Sequence, residues 1–277
     1  IILTHGSVFG DVGPYKNRVG FDGLGQAMSG VMYMTGDNGE PRKLFGPWVD
    51  YTTAMMSALG TMAALRHRDM TGEGQLVTTS LFGSSILISS VALIEQEMLK
   101  INRVGTGNRG QNAGPADTFK TKDGWVLVQA LGQPLFERWA KLMGEDHWLS
   151  DPRFTTDQKR GDNNDVLSDR MAEWCAERTT EQALAEMEAI RLPCGPVLSP
   201  QQVLDDPHLK AMGLLTKTSY PGFDKEIPVA ELPIKMSKTD TKMKRRAPTL
   251  GEHTDEIMES LGYSADEIAE LRKKRVV

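Results

Sequence analysis

The sequence predicts an α/β protein. Strand-like and helical segments alternate over its first hundred residues, a hairpin pattern opens at Ala116, and amphipathic helices return at the end. The opening residues Ile1-Ile2-Leu3-Thr4-His5-Gly6 read as the inside of a strand. They carry no initiator Met, no basic region and no small-residue cleavage site, so they suggest a processed or longer chain rather than a signal peptide. Residues 1–47 are then punctuated by turns, among them Gly10, Gly13-Pro14, Gly20, Gly36, Gly39 and Gly46-Pro47. Within them only Leu24–Met34 reads as helical, and Gly30 weakens it.

The clearest element comes next. Asp50-Tyr51-Thr52-Thr53 leads into the run Ala54–Leu65, apolar on more than one face, which predicts a buried helix with Asp50 at its N-cap. Arg66-His67-Arg68 suits the negative end of that helix dipole, and Thr71-Gly72-Glu73-Gly74 ends it. A strand over Gln75–Leu81 and a helix over about Leu81–Leu99 follow, and then the polar, glycine-rich stretch Asn102–Pro115, where the pattern places a domain boundary.

Beyond it, Thr118–Val128 reads as two strands joined by a Lys122-Asp123-Gly124 turn. Helices are expected at about Pro134–Met143, Asn163–Arg178 and Thr180–Ile190, the last capped by Thr179 with Gln182 three residues on. A short helix near Pro200–Asp205 precedes strand-like pieces that run to Met236. Two C-terminal helices close the pattern, one through Leu261 and one capped by Ser264.

Composition removes several classes of function. At 277 residues the chain is long enough for about two domains, and 25% charged with 39% hydrophobic residues is an ordinary globular balance. No apolar run approaches the roughly 20 residues of a membrane span. A formal charge of −5 gives no general attraction to nucleic acid or anionic lipid. Cys175 and Cys194 can form neither a disulfide framework nor, alone, a zinc site, and read as reduced packing thiols of a cytoplasmic protein. The five histidines are scattered without metal-ligand spacing, so no metal is expected.

Short motifs leave few candidates. Gly105-Thr106-Gly107-Asn108-Arg109-Gly110 fits the dinucleotide pattern G-x-G-x-x-G but lacks the buried strand before it and the helix after it. It reads instead as a linker or as a mobile glycine loop over a site. The signatures of serine hydrolases, P-loop enzymes and common zinc enzymes are absent. Asp50 remains, at the junction of Gly46-Pro47-Trp48-Val49 and an apolar helix. It is either a structural cap or a nucleophile able to take an acyl group.

A resemblance decides between these. Gly10-Asp11-Val12-Gly13-Pro14-Tyr15, Gly20-Phe21-Asp22, Gln26–Gly30, the Asp50 helix and Thr71–Gln75 are similar, in order and spacing, to the family III CoA-transferases and the related α-methylacyl-CoA racemases. So are Asp123-Gly124-Trp125, Asp151-Pro152-Arg153-Phe154, Pro193–Val197, Asp206-Pro207 and Leu250–Asp255. The tail is most similar to the formyl-CoA:oxalate transferases.

The resemblance implies a Rossmann-like large domain built from both ends of the chain and a smaller inserted α+β domain, in an interlinked homodimer. Residues 1–100 would belong to the large domain, 101–115 to a glycine-rich linker, 116–225 to the small domain and 226–277 to the return into the large one. It also implies a substantial N-terminal portion, ahead of the segment matching Ile1, that supplies part of the large domain and most contacts to the CoA nucleotide.

Acyl-CoA and a free carboxylic acid would be the substrates, with no metal, nucleic acid or membrane involved. Asp50 falls on the family's catalytic aspartate, and the implied oxyanion support is an adjacent helix N-terminus. Gly105, Gly107, Gly110, Gln111 and Asn112 fall near a substrate-covering loop, and Tyr15, Arg18 and Arg109 are candidates to meet a carboxylate. Racemisation needs an acid/base pair, and Phe21 stands where racemases have His. A non-catalytic CoA-binding scaffold is the remaining alternative, and the sequence names neither donor nor acceptor.

Overall fold

A computed structural model describes residues 1–277. The chain divides into two compact units, 1–197 and 198–277. In the first, β1 (Leu3–Ser7) pairs in parallel with β2 (Leu76–Ser80), with Leu3 opposite Leu76 and Ser7 opposite Ser80. The crossover between them holds α1 (Asp22–Met28), α2 (Val31–Thr35) and the long α3 (Trp48–Thr71), and α4 (Leu81–Leu99) leaves β2 directly. The helical reading of Leu24–Met34 thus becomes two short helices separated at Ser29-Gly30. The Leu81–Leu99 helix matches its expected bounds.

Two expectations for the Asp50 helix are corrected. Its N-cap falls at Pro47, which has no capping side chain, instead of at Asp50, so the helix starts at Trp48 and Asp50 lies inside the first turn. Nor is the helix buried, since only Val49, Thr53 and Ala64 are enclosed while Met55, Leu59 and Met62 are exposed. The same inversion marks α4, whose buried residues are Ser84, Ser85 and Ser89 while Ile88, Val91 and Ile94 face outward. An apolar run fixes helical propensity but not which side finds a neighbour.

The rest of the first unit packs as the period rules predict. β3 (Ala116–Lys120), β4 (Trp125–Gln129) and β5 (Cys194–Pro196) form an antiparallel sheet in that order. Along β4, Val126 and Val128 are buried while Trp125 and Leu127 are exposed, the two-residue alternation of a sheet with one covered face. Covering it are α5 (Gln133–Met143), α7 (Asn164–Ala176) and α8 (Thr180–Ala189), with the short α6 (Asp157–Asp162) before α7. α5 contributes Phe136, Trp139, Ala140 and Met143, spaced three and four apart on one face. Trp139 stacks on Trp148 at 5.5 Å between ring centres.

Several recurrent motifs turn out to be ties within this framework. Asp123 at the hairpin turn accepts hydrogen bonds from the Thr180 N–H (2.7 Å) and hydroxyl (2.9 Å), joining the hairpin to α8. Thr179 and Gln182 form the expected capping box. Burial pushes the Cys175 thiol up to about 12, in keeping with a packing role.

The second unit holds α9 (Pro200–Asp205), α10 (Pro207–Met212), the antiparallel pair β6 (Leu215–Thr218) and β7 (Ile227–Ala230), α11 (Thr254–Ser260) and α12 (Ala265–Lys273). In its Leu250–Asp255 motif, Glu252 takes two hydrogen bonds from Arg246 (2.7 and 2.8 Å) and one from the Thr249 N–H (2.7 Å). These partners, the Arg246 bonds foremost, hold the Glu252 carboxyl down at about 2, against an ordinary 4.5. A depressed carboxylate stabilises the fold fully above its unfolded value and loses that contribution as pH falls through the folded one. The turn at 249–253 is therefore expected to lose amide protection as pH drops from about 4.5 toward 2. A Glu252→Gln variant should show no such step in hydrogen exchange. No helix is long and apolar enough to cross a membrane.

Candidate active site

Asp50 sits in the first turn of α3, exposed, on the rim of a cleft of about 320 Å³. The cleft is lined also by Gly6, Ser7 and Val8, by Thr53, Ala54 and Ser57 of α3, and by Leu81. Gly6 and Ser7 end β1, and Leu81 follows the last residue of β2, so the cleft lies at the carboxyl ends of two parallel strands. That is where open α/β sheets bind ligands, because the strands stop there and the following loops and helix starts surround the opening.

The start of α3 is held from another helix. Asp22, buried in α1, accepts hydrogen bonds from the N–H groups of Val49 (2.8 Å) and Asp50 (3.3 Å) through one oxygen. Its other oxygen accepts from the Gln26 side-chain amide at 2.5 Å. The fully buried Gln26 in turn accepts from the Leu44 N–H at 3.0 Å. Gly25 makes this approach possible, since a Cβ there would meet a Val49 methyl at 2.8 Å. Asp22 thus does for α3 what an N-cap side chain normally does, from outside the segment.

This occupies donors that the expected oxyanion support would use. The Val49 and Asp50 N–H groups point to Asp22, and at the start of α4 the Phe82 N–H donates to the Val8 carbonyl and the Gly83 N–H to the Ser80 hydroxyl. Neither Asp22 nor Gln26 stands out in the sequence beyond being part of the resemblance. Their spacing of four, an acid and an amide on one helical face, is the local signal that links them.

The other candidate residues are not in the Asp50 cleft. Tyr15 and Arg18 stand together, the guanidinium 4.1 Å over the ring, and Tyr15 packs edge-on against Phe9. Gly105 and Gly107 lie on the turn at Gly36, with the Gly107 N–H donating to the Gly36 carbonyl at 2.9 Å. The Gly110 N–H donates to the Ala116 carbonyl, and Arg109 lies near Asp117, whose carboxyl is raised chiefly by burial. The Gln111 side chain donates to the Val104 carbonyl, and Asn112 packs beside Gly161.

Contact at Gly105 is so close that an added Cβ would lie 2.2 Å from the Gly36 carbonyl oxygen. Gly105→Ala should therefore detach the two segments, seen as faster amide exchange at Gly107 and new protease cleavage within 101–110. Unchanged exchange at Gly107 would refute that contact.

The fold and the cleft together define a mixed α/β protein with an acidic side chain poised beside a strand-end opening. Residues 1–254 match the profile of CoA-transferase family III, and the chain belongs to that family of transferases. It is 31% identical over 280 residues to succinyl-CoA–D-citramalate CoA-transferase of Chloroflexus aurantiacus, covering 100% of this chain and 69% of that protein. Over 248 residues it is 32% identical to succinyl-CoA:mesaconate CoA-transferase of Haloarcula hispanica, covering 89% of this chain and 62% of that one. A CAIB/BAIF family protein from Brucella suis superposes with a TM-score of 0.77 at 28% identity, covering 94% of this chain and 68% of its own. The chain thus spans 62% to 69% of the length of these relatives.

Proposed function

We propose that this protein moves coenzyme A from an acyl-CoA thioester to a free carboxylic acid, with Asp50 as the group that is acylated. The observation that carries this reading is the position of Asp50, on the cleft at the carboxyl ends of β1 and β2. Its carboxylate oxygen attacks the donor's thioester carbonyl, the C–S bond breaks, and a mixed anhydride and CoA thiolate result. The thiolate then attacks the Asp50 carbonyl carbon, releasing the donor as its carboxylate and leaving an aspartyl-CoA thioester. The acceptor carboxylate attacks that thioester and expels the thiolate a second time. Attack of the thiolate on the acceptor's acyl carbon forms the new thioester and restores the Asp50 carboxylate.

No proton is lost or gained over the cycle, so one carboxylate suffices and no acid/base partner is required. Water competes at each of these activated enzyme intermediates, which makes exclusion of solvent from the cleft part of the chemistry. Dicarboxylic acyl-CoA donors are the first to test, since the relatives named above are succinyl-CoA enzymes. The reading carries with it an interlinked cytoplasmic homodimer and a small domain spanning 116–225 inserted in a large one.

Mixing the purified protein with succinyl-CoA and quenching with hydroxylamine should leave a hydroxamate on Asp50, located by peptide mass spectrometry. Transfer to an added dicarboxylate without any adduct at Asp50 would overturn the assignment.

A further inference from the structure

The hydrogen bonds at the head of α3 bear on how Asp50 is aimed. Pro47 brings no capping side chain, and the Thr53 hydroxyl is turned back to the Val49 carbonyl (2.8 Å), so nothing within the segment 47–53 satisfies the Val49 and Asp50 N–H groups. Asp22 satisfies both. One of the two belongs to the residue whose carboxylate borders the cleft, so moving Asp22 moves the backbone that carries Asp50. Gln26 fixes the other Asp22 oxygen and is itself held by Leu44, in the 36–46 segment on which Gly105 and Gly107 rest. Every member of the Asp22–Gln26 pair is buried and bonded on both sides, an arrangement that gives a carboxylate one position rather than several.

We propose that Asp22 is a positioning residue for Asp50, acting as the N-cap of α3 from α1 and kept in register by Gln26. This rests on the reading of Asp50 as the acylated group, and it adds the residues that place it. Misplacement of a reacting group by about 1 Å costs on the order of a hundredfold in rate. The effect should fall on the chemical step, because Asp22 is buried and does not line the cleft, so it acts on the substrate only through Asp50.

The test compares Asp22→Ala, Asp22→Asn and Gln26→Leu with the unaltered protein, in two measurements. In hydrogen exchange, Asp22→Ala should lose protection at the Val49 and Asp50 amides. Asp22→Asn keeps one acceptor oxygen and should retain that protection, but its amide faces the Gln26 amide donor, so protection at Leu44 should fall. Gln26→Leu should also lose protection at Leu44. In transfer kinetics with succinyl-CoA, kcat of Asp22→Ala should fall on the order of ten- to a hundredfold with KM nearly unchanged. Asp22→Asn should recover most of that kcat.

Unchanged exchange at Val49 and Asp50 in the alanine variant overturns the proposal whatever the enzyme does. So does a kcat loss no larger than the loss of folded protein measured by circular dichroism, or a rise in KM at constant kcat. If the unaltered protein forms no adduct at Asp50, the acylation reading fails on its own and the positioning of a catalytic group fails with it. The exchange data would then still report whether Asp22 sets the head of α3. If Asp22→Ala will not fold, the asparagine and leucine variants decide. Loss of Leu44 protection with a measurable kcat change supports the pair, and wild-type values for both sink it.

Discussion

Asp50→Ala is expected to lower kcat for CoA transfer by on the order of 10³-fold or more, with the variant remaining folded. The size follows from the proposed chemistry, in which the Asp50 carboxylate makes and breaks a bond in every step and no neighbouring acid lines the cleft to take its place. The fold should tolerate the change because Asp50 is exposed, accepts no hydrogen bond from another side chain, and contributes to its helix through a backbone N–H that alanine retains. Asp50→Asn keeps the shape but not the nucleophile, and should be as inactive. Steady-state transfer with succinyl-CoA, paired with a thermal melt, measures both. Activity within tenfold of the unaltered protein would remove Asp50 from the mechanism.

The largest loss of stability is expected in the core of the first unit. Trp139→Ala should cost about 3–5 kcal/mol, the usual range for removing a large aromatic from a closed core. Trp139 is fully enclosed, stacks on Trp148, and donates its indole N–H to the Met171 sulfur at 3.2 Å. A cavity there would adjoin Met171 of α7 and Trp148 of the 3-10 turn Asp146–Leu149, which Trp139 of α5 joins. Against a typical total of about 5–15 kcal/mol such a loss is a large fraction. Urea unfolding followed by far-ultraviolet circular dichroism measures it, and a loss under about 1 kcal/mol would show that the neighbours collapse into the gap.

Legibility differed between the halves of the first unit for a definite reason. From Ala116 to Val197 the bounds of the hairpin and the helices were close to readable, because each apolar stripe is buried against elements nearby in the same stretch. Val126 and Val128 alternate, Phe136, Trp139, Ala140 and Met143 recur at helical spacing, and Thr179 caps where an acceptor stands three residues before an amide. Around Asp50 the pattern misled. The apolar length of α3 implied burial, yet Met55 and Leu59 are exposed, as are Ile88 and Val91 of α4, since hydrophobicity states a demand for a neighbour without naming it.

What the sequence determined by itself was the order of elements, the family resemblance and Asp50 as the acid to single out, all of which depend on residue type and spacing along the chain. Tertiary structure alone decided that the head of α3 is capped by Asp22 and not by Asp50, and that the cleft opens at the ends of β1 and β2. It also set the glycine-rich segment against Gly36. Those outcomes turn on hydrogen bonds between distant residues, 28 positions apart for Asp22 and Asp50 and far more for Gly36 and Gly107, and local preference carries no information about which distant partner a polar group will meet.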